Sequence, residues 1–258
     1  MKKLILLFSV LMVLADAIAQ TDVNIYEDGK TDSDKKDQKN KTLPPVKMGF
    51  MFTVHVDRLS SEIVNRDQIK NRMDGSWGFI INLQLKQLNP NYYLSTGFNI
   101  NSLSTKVSSD AGGKYYLTND TIAVSGMHQQ WLRNKYFDVP LMLHLETGKP
   151  DRKFAFYGDI GFVLGWLMKS KATITHTPID DSTPDEFMVE LRDDMNRFRA
   201  DFTVGGGIGL PLDGQSMLTF AIKYNYGLNN LTSTDKPLIP ELKSASLNYL
   251  SFGLGILF

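Results

Sequence analysis

The chain has 258 residues, enough for one large all-β domain, with 28 basic (Lys and Arg) and 28 acidic (Asp and Glu) side chains. This balance gives no strong electrostatic field for nucleic acid or for an acidic partner, so no nucleic-acid partner is expected. The absence of cysteine excludes disulfide bonds, thiol catalysis, cysteine-ligated metal and the acylated cysteine of a lipoprotein.

The first 19 residues have the three parts of a cleaved secretory signal peptide. Lys2 and Lys3 provide the basic start, residues 4–14 the apolar run, and Ala17-Ile18-Ala19 a small-x-small cleavage site. The apolar run is too short to cross a bilayer as a helix, and no later stretch reaches the roughly 18 apolar residues that a spanning helix needs. The sequence therefore predicts export with removal of residues 1–19, and it excludes helical membrane insertion.

Residues 20–46 are rich in Asp, Lys, Asn and Thr and carry both signs of charge. Large apolar residues are almost absent before Leu43, and the segment ends just after Pro44 and Pro45. Such a composition cannot bury enough apolar surface to offset the entropy that is lost on ordering. We expect residues 20–46 to form a disordered periplasmic tether.

Eight later segments alternate large apolar residues with small or polar ones, a pattern that predicts β-strands. They cover residues 47–59, 76–88, 92–103, 131–145, 153–168, 197–212, 216–228 and 243–258. The connections between them alternate between long and short, which is typical of an up-and-down barrel with both termini on one side. The sequence therefore predicts an all-β fold over residues 47–258, an eight-stranded antiparallel up-and-down transmembrane β-barrel with short periplasmic turns and long extracellular loops.

Glycine indicates which face of the strands points inward. One face carries glycine together with Asp, Lys, Asn and Thr, and the other carries more Phe, Trp and Leu than an eight-stranded interior could hold. Glycine weakens an exposed strand but makes room in a narrow lumen. We therefore expect the apolar face to contact lipid, rather than to surround a ligand as in a soluble lipocalin-like barrel.

Aromatic residues near the strand ends predict two girdles at the membrane interfaces. The loop-end girdle would contain Trp77, Trp131, Trp166 and Tyr226, and the turn-end girdle Phe50, Tyr92, Phe154 and Phe258. This arrangement supports a location in the cell outer membrane, with outer-membrane lipid as the immediate partner.

Two of the long loops contain signals for structure of their own. Residues 114–117 and 121–124 flank Asn119 and Asp120 and predict a small extracellular hairpin. Thr183-Pro184-Asp185-Glu186 has the form of a helix start, with a capping threonine, a proline at the first position and a capping-box glutamate. One face of that short helix would present Phe187, Leu191 and Met195, either as a lid over the barrel mouth or packed on its own loops.

The segment Tyr136-Phe137-Asp138-Val139-Pro140-Leu141-Met142 resembles a strand of the PorT-like outer-membrane barrels of Bacteroidetes-type bacteria. Tyr157-x-x-x-Gly161, residues 202–209 and residues 250–254 are also similar to that family, so the resemblance extends over residues 47–258. Its founding member is associated with type IX secretion. The resemblance thus implies an accessory role in envelope assembly or secretion, with envelope or secretion proteins as partners, and it transfers no catalytic residue.

Proline within this strand has its own structural consequence. Pro140 lacks the N–H group that a strand uses to pair with its neighbour. Because mid-sheet proline is confined to edges and irregular positions, we expect a β-bulge at Pro140.

Charged residues on the predicted inward face need partners, because side chains fill an eight-stranded interior. We expect a polar network in the lumen made by Asp57, Lys86, Asp138, His144, Asp159, Arg199, Asp201 and Lys223. A salt-bridged plug of this kind leaves little open bore for a diffusion pore. No metal or cofactor is expected, since the histidines lack zinc-site spacing and no phosphate loop is present.

His55 and Asp57 suggest an alternative function. They share one face of the first strand near the outer rim, where an Asp–His pair could activate water or an acceptor hydroxyl in a hydrolase or acyltransferase. No serine lies in a nucleophile-elbow motif, and His128 and His176 lie in loops without evident ligand partners. The sequence therefore favours a non-enzymatic barrel that acts through its extracellular loops, and it specifies neither a ligand nor an oligomeric state.

Overall fold

The computed structural model describes residues 46–61, 69–85, 88, 91–109, 113–117, 120–124, 126–147, 154–178, 185–212, 216–233 and 242–258. Their regular structure consists of twelve β-strands. These are β1 (Val46–Ser60), β2 (Ile69–Lys70), β3 (Arg72–Gln84), β4 (Tyr92–Ser109), β5 (Gly113–Leu117), β6 (Asp120–Val124), β7 (Gly126–Glu146), β8 (Ala155–Pro178), β9 (Asp185–Glu190), β10 (Phe198–Pro211), β11 (Met217–Gly227) and β12 (Ser246–Leu257). Among the described residues, no helix has the length and apolar character needed to cross a bilayer.

Eight of the ten strands in the main sheet close into a barrel in the order β1-β3-β4-β7-β8-β10-β11-β12. The ring closes where β12 pairs with β1, from Gly49 opposite Leu257 to Ser60 opposite Ser246. Every neighbouring pair is antiparallel. The predicted eight-stranded antiparallel up-and-down barrel is therefore confirmed. One end of the barrel contains the short connections together with the first and last residues of the barrel domain, and we call it the turn side. The opposite end contains the long connections, and we call it the loop side.

Three adjacent strands are much longer than the bilayer requires. β4, β7 and β8 have 18, 21 and 24 residues, whereas about 9–11 residues suffice for a tilted membrane strand. Their excess length lies on the loop side, where β2 pairs with β4 and β9 pairs with β8. These five strands form a loop-side extension of the barrel wall. The predicted hairpin is also confirmed, since β5 pairs with β6.

The two faces of the barrel strands differ in the expected sense. Apolar side chains project outward, including Phe52 at 66% and Trp166 at 61% exposure, whereas inward residues such as Asp57 and Asp201 are fully buried. Seven of the eight predicted girdle aromatics are exposed on this outer surface, and Trp131 is partly covered. An apolar exterior around a polar interior is stable only if lipid covers the outside. The orientation agrees with the one that glycine predicts.

The predicted helix after Thr183 is wrong. Residues 185–190 form strand β9, which pairs with residues 171–176 of β8. The pairing between β8 and β10 ends at Trp166, so the upper part of β8 would otherwise present unpaired backbone groups. A strand satisfies these groups and a helix does not, so the tertiary contact overrides the local capping signal. The cap residues Thr183 and Pro184 lie outside the described residues.

The expected bulge at Pro140 is also wrong in its position. Pro140 pairs in register with Val163 of β8, and the register between β7 and β8 shifts instead between Lys135 and Tyr136. On the other side of β7, the pairing with β4 is interrupted at residues 96–98 and resumes in the same register. Gly97 lies in this gap with a φ of 140°. The missing N–H is thus accommodated by a local break in the ladder, which glycine permits, and not by an extra residue.

The interior at the loop side is apolar. Buried side chains from β1, β4, β7, β8 and β12 meet those of the segments after β9 and β11. They include Leu59, Leu103, Leu132, Leu167, Leu191 and Met195. Met195 forms a β-bridge with Thr232, and Asn196 N donates to Leu231 O at 2.6 Å. We call this group the loop-side apolar cluster. It packs two of the long connections against the barrel wall.

Candidate functional site

The barrel interior below the apolar cluster contains a buried guanidinium between two carboxylates. Arg199 Nη2 lies 2.8 Å from Asp138 Oδ2, and Arg199 Nε lies 3.0 Å from Asp201 Oδ2. One guanidinium faces two carboxylates, and neutral hydrogen-bond donors stabilise both of them further. Asn101 Nδ2 donates to Asp138 at 2.8 Å, and the Tyr249 hydroxyl donates to Asp201 at 3.2 Å. These groups form the loop-side ion cluster. Its charges are stable in the interior because each one has close partners.

A second ion cluster lies toward the turn side. Asp159 accepts from Lys223 Nζ at 2.8 Å and contacts His144 Nδ1 at 2.7 Å. Lys47 Nζ donates to Glu146 Oε2 at 2.6 Å, and the same oxygen lies 4.0 Å from His144 Nε2. This turn-side ion cluster draws its members from β1, β7, β8 and β11, so it ties opposite walls of the barrel together.

Neutral groups separate the two ion clusters. Thr203 Oγ1 donates to Asn225 Oδ1 at 2.7 Å, and Asn225 Nδ2 donates to Ser251 Oγ at 3.0 Å. All three side chains are buried. The interior therefore consists of the turn-side ion cluster, a neutral belt, the loop-side ion cluster and the loop-side apolar cluster, in that order along the barrel.

Glycine makes room for the long charged side chains. Gly165 of β8 pairs with Asp138 on one side and with Arg199 on the other, and a Cβ atom there would collide with the Asp138 carboxylate. Gly205 of β10 lies in the same way between Asp159 and Lys223. In both cases a glycine in one strand provides the space in which an acid and a base from its two neighbours meet.

The structure brings together most of the predicted network. Asp138, Arg199 and Asp201 form the loop-side cluster, and His144, Asp159 and Lys223 belong to the turn-side cluster. Asp57 takes no part in either set of ion pairs, and Lys86 lies outside the described residues. Four further members were not predicted from the sequence: Lys47, Glu146, Asn101 and Tyr249. For Lys47 the signal was present, because it has the same strand parity as the inward-facing Gly49 and His55.

His55 and Asp57 have a structural role at a seam in the barrel wall. The pairing between β3 and β4 ends at Ser76 and Asn101, whereas β1 and β3 stay paired beyond that level. In the gap, His55 Nε2 donates to Ser102 O at 2.8 Å, and Asp57 Oδ2 accepts from Ser104 N at 2.7 Å. Side chains of β1 thus satisfy backbone groups of β4 that β3 no longer reaches.

This geometry does not form an Asp–His dyad. Both side chains are almost completely buried, and His55 Nδ1 has no hydrogen-bond partner in the described part of the chain. In a catalytic pair the carboxylate would orient the imidazole through that nitrogen. No three or more acidic or histidine side chains among the described residues are grouped to hold a metal ion.

Comparisons with known proteins place the chain in a family. A sequence model described as outer membrane protein beta-barrel domain matches residues 35–233. A search of the curated proteins found no match.

Similar solved structures include Neisserial surface protein A (9% identity, 82% of this chain, 97% of that chain, TM-score 0.37). They also include Ail, the attachment invasion locus protein of Yersinia pestis (9%, 83%, 100%, 0.35), and the outer membrane protease OmpT from Escherichia coli (11%, 83%, 96%, 0.33). The family match covers most of the sequence and agrees with the closed barrel, so the chain belongs to the outer membrane protein β-barrel domain family.

Proposed function

We propose that this outer-membrane barrel is non-enzymatic and acts through its loop-side surface, as an accessory in envelope assembly or protein secretion. The proposal rests on one contrast: side chains fill the barrel interior, whereas the barrel wall is extended on the loop side. Ion pairs, the neutral belt and the loop-side apolar cluster occupy the lumen, while β2, β4, β7, β8 and β9 extend the wall far beyond a bilayer's thickness.

The filled interior disfavours transport as the function. Lys47, Arg199 and Lys223 each have a carboxylate partner within 3.0 Å, and residues of the apolar cluster cover them on the loop side. An eight-stranded barrel has an interior just wide enough for side chains. Ordered structure beyond the membrane has an entropic cost, which a contact surface for a partner would explain.

The resemblance to PorT-like barrels supports envelope or secretion proteins as the partners. Residues of the strand that shows this resemblance have structural roles in the barrel. Tyr136 is buried against the loop-side ion cluster, Asp138 binds Arg199, and Pro140 lies opposite the interruption in the β4–β7 pairing. Because these roles stabilise the barrel itself, the link to type IX secretion rests on the family resemblance alone and is part of the proposal.

The alternative of a barrel hydrolase or acyltransferase lacks a supporting observation. It requires Asp57 to orient His55 toward a substrate, yet both are engaged with the backbone of β4. Support for the non-enzymatic assignment comes from this engagement and from the burial of both side chains.

Cross-linking in native membranes would test the proposed contact surface. In the test variant a two-residue turn replaces residues 110–125, which removes the β5–β6 hairpin and leaves the pairing of β4 and β7 up to Ser109 and His128. A matched control alters residues 148–150, in the short connection between β7 and β8 at the turn side of the barrel. We expect both variants to assemble as heat-modifiable barrels, and only the hairpin variant to lose cross-linked envelope proteins. If the same proteins are recovered from both variants, the β5–β6 hairpin is not the contact site, and if the unaltered chain is cross-linked to no envelope protein, the proposal fails.

A further inference from the structure

Five cations lie on the outer face of three adjacent strands at the loop side. They are Lys106 of β4, Arg133 and Lys135 of β7, and Lys169 and Lys171 of β8. Strand alternation and pairing place them on the same face as Phe137 and Trp166, which project outward from the barrel. We call these five residues the basic belt.

The basic belt begins where the lipid-facing apolar surface ends. Among the residues of β7 and β8 whose burial the structure describes, Phe137, Trp166 and Met168 are the last large exposed apolar side chains in this direction. Lys135 is two residues beyond Phe137, a rise of about 6–7 Å along the strand, and Lys169 directly follows Met168. Aromatic residues of this kind mark the membrane interface, so Lys135 and Lys169 lie at the height of the lipid head groups. The other three belt residues follow farther from the membrane core, with Lys106 opposite Trp131 and Arg133 opposite Lys171.

The belt places like charges directly opposite each other. Lys135 pairs with Lys169, and Arg133 pairs with Lys171. Opposed like charges destabilise a sheet. Among the described residues, the ion pairs involve none of the five belt cations, whereas the inward-facing Lys47, Arg199 and Lys223 are all paired. Glu190 of β9 lies directly opposite Lys171 in the register and gives it an acidic neighbour. Among the described residues, the other four belt cations have no such neighbour in the strand registers, so anions from outside the protein would stabilise them.

One belt residue is held in a fixed orientation. The Arg133 guanidinium carbon lies 4.0 Å from the centre of the Trp131 ring, and Arg133 Nη2 donates to Thr173 Oγ1 at 2.8 Å. The Arg72 guanidinium also stacks on Trp131, at 4.4 Å. An arginine that is oriented by a ring and a hydroxyl presents its remaining N–H donors in a fixed fork, a geometry that matches phosphate oxygens.

We propose that the basic belt binds the phosphate groups of an anionic lipid head group in the outer leaflet. The belt is concentrated in one sector of the barrel. At the loop-side ends of other strands, Tyr226 of β11 and Leu250 of β12 are uncharged, and Arg58 of β1 is a separate outward-facing cation, which the control variant below removes. A bound lipid would therefore be held in one sector, beneath the loop-side extension. The assignment to the outer leaflet rests on the proposed orientation, in which the long connections face the cell exterior.

Lipid binding by the full-length folded chain would test this inference. Phosphatidylcholine nanodiscs would contain either diphosphoryl lipid A or its dephosphorylated form, and native mass spectrometry would measure the lipid that each variant retains. The belt variant K135Q/K169Q/K171Q is compared with the control R58Q/R192Q/R197Q, which removes three exposed cations outside the belt. We expect about a hundredfold weaker retention of the phosphorylated lipid by the belt variant, since each basic residue near an anionic surface adds to binding.

The control should bind like the unaltered chain, and neither protein should retain the dephosphorylated lipid as strongly. Equal retention by the belt variant and the control would overturn the inference, as would equal retention of the two lipids by the unaltered chain. Displacement of the lipid by an equal concentration of inorganic phosphate would show a phosphate site and contradict a lipid site. Heat-modifiable migration checks that each variant is folded. The hairpin test of the proposed function leaves the belt intact, so the two proposals can fail separately.

Discussion

Single residues in this barrel are constrained by the cost of leaving a buried polar group without a partner. Arg199 contacts both Asp138 and Asp201, and each carboxylate accepts one further hydrogen bond, from Asn101 and from Tyr249 respectively. The same rule explains His55 and Asp57, whose partners are backbone groups of β4. The His55 and Asp57 pair, which suggests catalysis in the sequence, thus binds backbone groups of β4 where the pairing with β3 has ended.

Substitution of Asp57 separates the structural from the catalytic role. Asp57→Ala leaves the Ser104 N–H buried without an acceptor, so we expect the free energy of unfolding to fall by about 1–3 kcal/mol. Asp57→Asn keeps an acceptor oxygen at nearly the same position and serves as the matched control, with a smaller loss. Urea denaturation in lipid vesicles measures both. If Asp57→Ala leaves the stability unchanged but abolishes a lipid- or peptide-modifying activity, the structural role is wrong and the enzymatic alternative is right.

At the scale of secondary-structure elements, the length of β8 determines what its neighbours do. β10 pairs with β8 only as far as Trp166, and β9 pairs with the part above. Segment 185–190 is therefore a strand because β8 offers it an unpaired edge. Leu191 and Met195, which were expected on a helix, are instead buried in the loop-side apolar cluster.

Engineered disulfide bonds would test the position of β9. Thr175 lies opposite Glu186 in the register of β8 and β9, and side chains directly opposite in a sheet have Cβ atoms about 4.5–5.5 Å apart. The chain has no cysteine of its own, so T175C/E186C should form an intramolecular disulfide on mild oxidation. The control T175C/E190C separates the two thiols by about 13 Å along the strand and should not. Equal cross-linking in both variants, detected by mass spectrometry of the peptides, would contradict the strand register.

At the scale of the whole molecule, the distribution of apolar and polar side chains changes along the barrel axis. In the membrane segment it is the reverse of that in a soluble protein, and on the loop side it is the same as in a soluble protein. The membrane segment has an apolar outside and an ionic inside, whereas the loop side has an apolar interior again, as water-exposed domains do. This change along one axis follows from the change of solvent, lipid in the middle and water beyond. It makes the loop-side extension a folded structure with its own core.

Planar-bilayer recording would test whether the interior is closed. Because ion pairs and the loop-side apolar cluster fill the lumen, we expect the reconstituted barrel to produce no stepwise ion conductance at neutral pH. An open porin in the same lipid is the positive control. Regular conductance steps that scale with the amount of folded barrel would mean that the side chains leave a continuous path, and transport would then have to be reconsidered.

The sequence by itself determined the barrel, because a period of two and the partition of glycine and aromatics between two faces depend only on local geometry and solvent. It also identified Asp138, Arg199, Asp201, His144, Asp159 and Lys223 as inward-facing. It could not assign their partners, because pairing depends on the stagger between strands, and it missed Glu146, which lies beyond the predicted strand end. Only the tertiary structure decided that Asp57 closes a seam, that residues 185–190 form a strand, and that the basic belt borders the apolar surface. Each of these depends on where a neighbouring strand ends, a long-range property that local sequence patterns do not encode.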